Sequence, residues 1–336
     1  MTCVRTTTVG SWPIPFGQRL ALKRYYGGEL SDAEADDVLR AAARIAMDEQ
    51  IACGLDQIMG GEVFAPDFVH HVPPRLAGLK TLRRRDPSKG YEGVGRYEIS
   101  GDISAPNGTG HALGYRRESA VEPRLDKVAV PSPLTMTISF ATDPRLPEQM
   151  ENIARMVEVE VLDMVAAGAR EVQVDAPSEA VAMAHETTPV ADVVRWLTYP
   201  FRSRPDVRRS VHFCLGDISR RPSTEVQNLR SLIPLLQALE GEIDRAHLEC
   251  SYAGQWQDHE LLAEVPESIE IVAGIADVKS PPQPVDELRA KIDGLLAVVS
   301  ESRLLVSSSC GCGRVPHDEA IRLMRNLVKA AAGDAR

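Results

Sequence analysis

Residues 147–175 read PEQMENIARMVEVEVLDMVAAGAREVQVD, and this stretch decides the fold. Ile153, Met156, Val157, Val161, Met164 and Val165 recur at helical spacing, so 147–167 reads as an amphipathic helix. Gly168 closes it, since glycine accepts the left-handed backbone that ends a helix. Glu171–Asp175 follows as a short strand. Helix alternating with strand at this spacing is the building unit of a parallel α/β sheet.

The same rhythm extends in both directions. Ser31-Asp-Ala-Glu34 is a capping box that opens a helix, and Gly54 is placed to close it. Expected strands are 5–9, 55–59, 128–139, 171–175, 210–214, 246–250, 269–278 and 303–308. Helices are expected over 189–202, 224–240 with a kink or restart at Pro234, 256–264, 284–299 and 316–332. Eight alternating units predict a (β/α)₈ TIM barrel in one domain, 1–336. A doubly wound open sheet is the runner-up, but the phosphate-binding glycine loop it would need is missing. One region breaks the rhythm. Residues 80–127 hold Arg83-Arg84-Arg85, Lys89, several glycines and a hairpin around Arg96–Ile103. This insertion after the second strand reads either as a solvated surface loop or as a lid over the barrel mouth.

The 336 residues carry a net charge of −10, with 43% apolar and 26% charged side chains. That composition is ordinary for a globular protein, and the negative balance argues against a nucleic-acid partner. No apolar run reaches membrane-spanning length, and the first residues lack a signal-peptide core. Six cysteines in a chain this long do not form a disulfide framework, so a reducing cytoplasm is expected.

Three separated stretches offer ligands for one soft metal ion: Val-His-Phe-Cys at 211–214, Leu-Glu-Cys at 248–250 and Ser-Ser-Ser-Cys-Gly-Cys-Gly at 307–313. The set His212, Cys214, Glu249 and Cys310 suits tetrahedral Zn²⁺. His212 and Cys214 are two apart, so on a strand both point to one face. The long gaps to 249 and 310 fit one ligand group per strand–helix unit rather than a compact zinc finger. The bland alternative makes Cys214 and Cys250 small buried hydrophobes. Ser11, Glu62, Asp175, Asp277, Lys279 and Cys310 also fall at expected C-terminal strand ends, where barrel active sites lie.

These motifs resemble the C-terminal catalytic barrel of cobalamin-independent methionine synthase, in a short single-barrel branch lacking the N-terminal half. Thr6-Thr-Thr-Val-Gly-Ser11-Trp-Pro13 is similar to that family's opening, Met59-Gly-Gly-Glu62 to its His-Gly-Glu loop, and Val172-Gln-Val-Asp175-Ala-Pro177 to its Gln-Ile-Asp-Glu-Pro strand end. His212-x-Cys214, Glu249 and Cys310-Gly match its zinc positions. The resemblance favours Cys310 over Cys312 as ligand. It implies a zinc-dependent methyl or alkyl transferase in which zinc lowers the pKa of a substrate thiol. Ser11, Glu62 and Asp175 would then hold the amino-acid part of the thiol. Ser11 could instead cap a turn, and the two carboxylates could be solvated or cap a helix. The alkyl donor is expected to be a folate or a corrinoid.

Three departures bear on the substrate. Ala176 stands where the family has a second carboxylate. Asp277-Val-Lys279-Ser280 stands where it has Asp-Ile-His-Ser, so Lys279 with Asp277 takes the catalytic position of a proton-donating histidine. Lys279 could donate a proton only with a depressed pKa, and could instead grip an acidic substrate group or pair structurally with Asp277 or Glu249. No tryptophan is evident near the third strand, where Phe140 is the nearest aromatic. Competing functions on the same zinc are thiol addition to an epoxide and C–S bond cleavage; a non-catalytic structural zinc is the alternative from another class.

Overall fold

The computed structural model describes residues 3–26, 29–64, 69–84, 95–203, 205–216, 220–222, 224–252 and 254–333. Its strands are β1 (Arg5–Thr6), β2 (Ala77–Arg83), β3 (Arg96–Ser104), β4 (Lys127–Pro131), β5 (Glu171–Asp175), β6 (Arg208–Phe213), β7 (Arg245–Glu249), β8 (Glu270–Ala276) and β9 (Leu304–Ser308). Seven of them form one parallel sheet in the order β1-β9-β8-β7-β6-β5-β4. The sheet curls into the expected barrel, with helices between successive strands. Along each strand one face alternates with the other. Val172, Val174, Val211 and Leu248 are fully buried, while Gln173, His212 and His247 occupy the alternate positions.

The eighth position is filled differently from expectation. Residues 55–59 do not form a regular strand. Gln57 N still donates to Thr6 O, and Trp12 N to Gly61 O, with a lone bridge between Ser11 and Gly61. Side chains replace the rest of the ladder. Asp56 Oδ2 accepts from the backbone N and hydroxyl of Thr6, and Gln50 Oε1 takes Met59 N at 2.9 Å. Such bonds from side chains to the backbone take the place of sheet pairing.

The strand expected over 128–139 stops at Pro131. Ser132 then caps the short helix Pro133–Met136, its hydroxyl accepting from Thr135 N at 3.0 Å. Serine as cap with proline at the first helical position is a start signal that outweighed the apolar run. Pro234 likewise begins a helix, Ile233–Ala238, rather than kinking a longer one. The segments after 198 and 258 tighten into 3₁₀ turns, Tyr199–Phe201 and His259–Glu264.

The helix at the heart of the reading runs Leu146–Ala166, and Ile153, Val157, Val161 and Met164 on its inner face are fully buried. The helix Asp32–Cys53 carries both bonds of its capping box and ends at Gly54 with φ 87°. The insertion contains an antiparallel hairpin of β2 and β3. It is fastened to the Leu146–Ala166 helix and its approach by Ile99 N to Asp143 and Ile103 N to Gln149. Arg85 and Lys89 lie outside the described residues.

The N-terminal end of the barrel is closed by charge. Arg245 bonds Glu171 and Glu270, each at 2.6 Å, and Lys127 Nζ donates to Thr8 O at 3.1 Å. Burial pulls the Lys127 ammonium down to about 8. The opposite, C-terminal end is the one at which barrel sites are built.

Candidate metal centre and thiol site

His212 is carried near the end of β6, and Cys214 follows that strand. Cys310 sits two residues beyond β9, in the turn that Ser309 N ties to Ala276 O. The fold brings these three together: their ligand atoms lie within 4.8 Å of one another, and the two sulfurs are 3.6 Å apart. Neither ring nitrogen of His212 meets hydrogen-bond geometry with any described residue, although the side chain is buried. Burial, with Lys127 adding to it, pushes the imidazole down to about 3, so the ring is neutral and able to donate a lone pair. Gly216 N donates to Cys214 Sγ at 3.1 Å, a bond that orients the sulfur. Two sulfurs and an orphaned neutral imidazole fit a soft divalent ion such as Zn²⁺.

Glu249 ends β7 beside this cluster, but its oxygens are engaged elsewhere. One accepts Leu215 N at 3.0 Å and the other is paired with Lys279 Nζ. Cys312 is buried outside the cluster, and its backbone N donates to Ser11 O at 2.8 Å. Ser11 Oγ accepts Gly313 N, so the Ser11 turn is sewn to the Cys310 loop.

Lys279 and Asp277 do different things. The lysine ammonium is held above its ordinary range: burial works against the charge, but Glu249, Cys310 and Cys214 outweigh it. The Asp277 carboxylate turns onto its own loop, accepting Lys279 N and the Ser280 hydroxyl. It shapes the turn from which Lys279 reaches Glu249.

Glu62 and Asp175 lie near the same mouth, close enough for the charge of Glu62 to act on Asp175. Burial raises Glu62 to about 7 although an edge of the residue stays accessible. Asp175 is raised well above the usual carboxylate range by burial and by Glu62, while Gln173 Nε2 bonds its Oδ1 at 2.7 Å. Glu62 has φ 55°, in the left-handed region that non-glycine residues seldom occupy. Such strain tends to mark sites where side-chain placement matters.

Sequence reasoning missed several participants. His247 stacks edge-on against His212 at 4.7 Å between ring centroids and bonds Ser307 Oγ. Its signal was the period of two along the strand Arg245–Glu249. Gln173, two residues before Asp175, gave the same signal. Glu118 also escaped, since nothing local distinguishes it from a solvated helix carboxylate.

A parallel barrel with a His-Cys-Cys ligand set and buried carboxyls at its C-terminal mouth has the architecture of a metal-binding barrel. The chain belongs to the family described as cobalamin-independent synthase, catalytic domain, which matches residues 4–333. It is 30% identical to the 5-methyltetrahydropteroyltriglutamate–homocysteine methyltransferase of Streptomyces avermitilis, over 97% of this chain and 42% of that protein. It is 26% identical to the protein of the same name from Acidithiobacillus ferrooxidans, over 97% of this chain and 41% of that one. The chain thus spans about two fifths of the length of these relatives. In fold it is similar to a B12-independent methionine synthase from Shewanella sp. W3-18-1, solved with selenomethionine. The TM-score is 0.79 at 20% identity, with 98% of this chain and 97% of that one covered. A putative B12-independent methionine synthase from Listeria monocytogenes superposes at TM-score 0.70, with 20% identity over 96% and 95% of the two chains. A cobalamin-independent family removes the corrinoid from the expected alkyl donors. No described helix is long and apolar enough to cross a membrane.

Proposed function

We propose that this chain is a zinc-dependent methyl or alkyl transferase acting on an amino-acid thiol, with homocysteine and a methylated folate as the first substrate pair to test. The names of the relatives motivate that pair. The carrying observation is the convergence of His212, Cys214 and Cys310 within 4.8 Å, with neither His212 ring nitrogen in hydrogen-bond geometry among the described residues.

In this reading His212, Cys214 and Cys310 hold the ion, and Glu249 completes the set when no thiol is present. A Zn²⁺ there would supply the positive charge that lets a thiol lose its proton near neutral pH. The chain's own groups do the rest. Glu249 is the hardest of the four ligands and already has an alternative partner in Lys279, so it is the one to yield its place to a thiol. Lys279, locked in a buried ion pair, acts as a fixed positive charge rather than as a proton donor. Glu62 and Asp175 face the ammonium group of the amino acid, and the Ser11 turn, sewn to the Cys310 loop, sets its distance from the sulfur site. Methyl transfer then forms the new S–C bond as the donor's N–C bond breaks; the leaving nitrogen keeps that electron pair and takes a proton from water, balancing the one the thiol released.

The deciding experiment is to load the protein with zinc and assay a panel of thiols against 5-methyltetrahydropteroyl glutamates and simpler methyl donors. Methylation of an amino-acid thiol is expected. Full zinc occupancy without turnover of any thiol–donor pair would reject the transferase reading.

A further inference from the structure

Behind Glu62 stands a second carboxyl that the thiol chemistry does not call for. Glu118, on the helix His111–Val121, is 6% exposed. One of its oxygens accepts Val63 N at 3.1 Å, directly after Glu62. The other lies against Gly60, where an added Cβ would come within 1.9 Å of it. The carboxyl therefore grips the Gly60–Val63 turn from behind, and the residue at its crest is Glu62 in its left-handed conformation. Between the two acids lies a cavity of about 30 Å³, lined by Met59, Glu62, His111, Tyr115, Glu118 and Val128 among others. That is room for a single water, enough to connect the acids by a hydrogen-bonded bridge.

We propose that Glu118 is a positioning residue for Glu62: it fixes the turn that aims Glu62 into the barrel mouth and takes the proton that the pair retains, leaving Glu62 as the charged partner for a substrate ammonium. The ammonium part of this inference rests on the amino-acid-thiol reading above. Two acids around one small cavity cannot both ionise without cost, and they titrate as a unit. The deeper acid keeps its proton longer. Burial, together with the charge of Glu62, raises Glu118 to about 8, whereas Glu62 rises to about 7. The groups facing the pair are His111 and Tyr115 from Glu118's own helix and Asp175 beyond Glu62; β4 contributes Val128 and Ala129 to the lining. His111 bonds Thr109 through Nδ1.

A raised carboxyl stabilises the fold fully below its unfolded value, and that contribution disappears as pH climbs through the folded value. Glu118→Gln keeps an acceptor for Val63 N but holds no titrating proton. In ligand-free protein, the melting temperature of the wild type should therefore fall relative to Glu118→Gln as pH rises from 5 toward 8. In Glu62→Gln the fall should move to lower pH, because the charge that lifts Glu118 is gone. A wild-type-minus-variant difference that stays flat over this range would overturn the proposal. L-methionine, measured by calorimetry at pH 6 to 9, serves as the amino-acid probe. Glu118→Leu should weaken its binding by roughly tenfold or more, and Glu118→Gln should recover most of that loss. Equal affinity in wild type and Glu118→Leu would also overturn the proposal. Failure of the wild type to bind L-methionine at every pH would instead reject the amino-acid-thiol reading, and the melting series would still decide whether Glu118 and Glu62 share a proton.

Discussion

Lys279 and Glu249 form an ion pair withdrawn from solvent, their side chains 2% and 1% exposed. The pair gives the fourth expected metal ligand a second place to rest, beside the sulfur cluster. Removing the lysine takes the counter-charge from a buried carboxylate, which costs about 3–5 kcal/mol in comparable sites. Lys279→Met should therefore be strongly destabilised when stripped of metal. Saturating zinc should restore much of the difference, because Glu249 can turn onto the ion. Thermal melts with and without zinc test this. If the metal stabilises wild type and Lys279→Met equally, Glu249 does not exchange between the two partners.

Metal content separates the sulfurs. Cys214→Ser and Cys310→Ser should each lose most of the bound zinc, since both sulfurs belong to the cluster and a hydroxyl is a poor replacement for thiolate. Cys312→Ser should keep it, because Cys312 lies outside the cluster and is tied to Ser11 through its backbone. Elemental analysis of the three purified variants decides. Full occupancy in both of the first two would remove the proposed centre.

Much of this was legible in advance because period and punctuation survive folding. The Ile153–Val165 pattern and Gly168 located the helix, and the strand Glu171–Asp175 appears with the expected bounds. His212 and Cys214 could be paired because alternate strand residues share a face. The segment 55–59 was not legible as it stands. Its apolar residues signalled a strand, while Asp56 and Gln50 captured the backbone through long-range bonds that no local pattern encodes. Lys279 was placed at the correct mouth, but its partner was left open between Asp277 and Glu249. That choice depended on Asp277 being spent on its own turn, which tertiary geometry alone decides. Glu118 is fifty-odd residues from Glu62 in sequence, and the contact exists only once the inserted hairpin and the His111–Val121 helix fold back over Gly60.

Chelation should abolish turnover without unfolding the chain. The barrel core draws on six of the seven parallel strands, Cys310 alone of the cluster packs against it, and a chain of this size buries enough apolar surface to fold without metal. Far-UV circular dichroism after treatment with a strong chelator should match that of the loaded protein. Cooperative loss of ellipticity on metal removal would favour a structural zinc instead.

The charged plug at the opposite end predicts a stability effect uncoupled from chemistry. Arg245 is 2% exposed and serves both Glu171 and Glu270. Burial disfavours the Glu171 charge, but Lys127 and Arg245 outweigh it and keep the carboxyl below its usual range. A depressed carboxylate stabilises the fold above its unfolded value, and the contribution is lost as pH falls through the folded value. Arg245→Met should therefore destabilise the protein by about 3–5 kcal/mol at neutral pH. The gap to wild type should narrow on acidification, while zinc content stays unchanged. Denaturant unfolding at pH 7 and pH 4 measures both, and a gap that widens in acid would contradict the assigned partnership.

Gly10 offers the cleanest test of Glu62. An alanine Cβ at this position would fall 2.0 Å from Glu62 Oε1. The atom it meets is the end of a movable side chain, so the fold can accommodate the methyl by displacing the carboxylate. Gly10→Ala should consequently lose little stability and no zinc, yet move the proposed ammonium partner out of place. For an amino-acid thiol, KM should rise by roughly tenfold or more, as expected when one member of a buried charge pair is withdrawn. A thiol lacking the amino group should be handled by Gly10→Ala and wild type alike, because it never used Glu62. Comparing homocysteine with 3-mercaptopropionate across the two proteins gives the answer. An equal loss with both thiols would mean that the methyl disturbs the sulfur site itself, and unchanged kinetics with homocysteine would remove Glu62 from substrate binding.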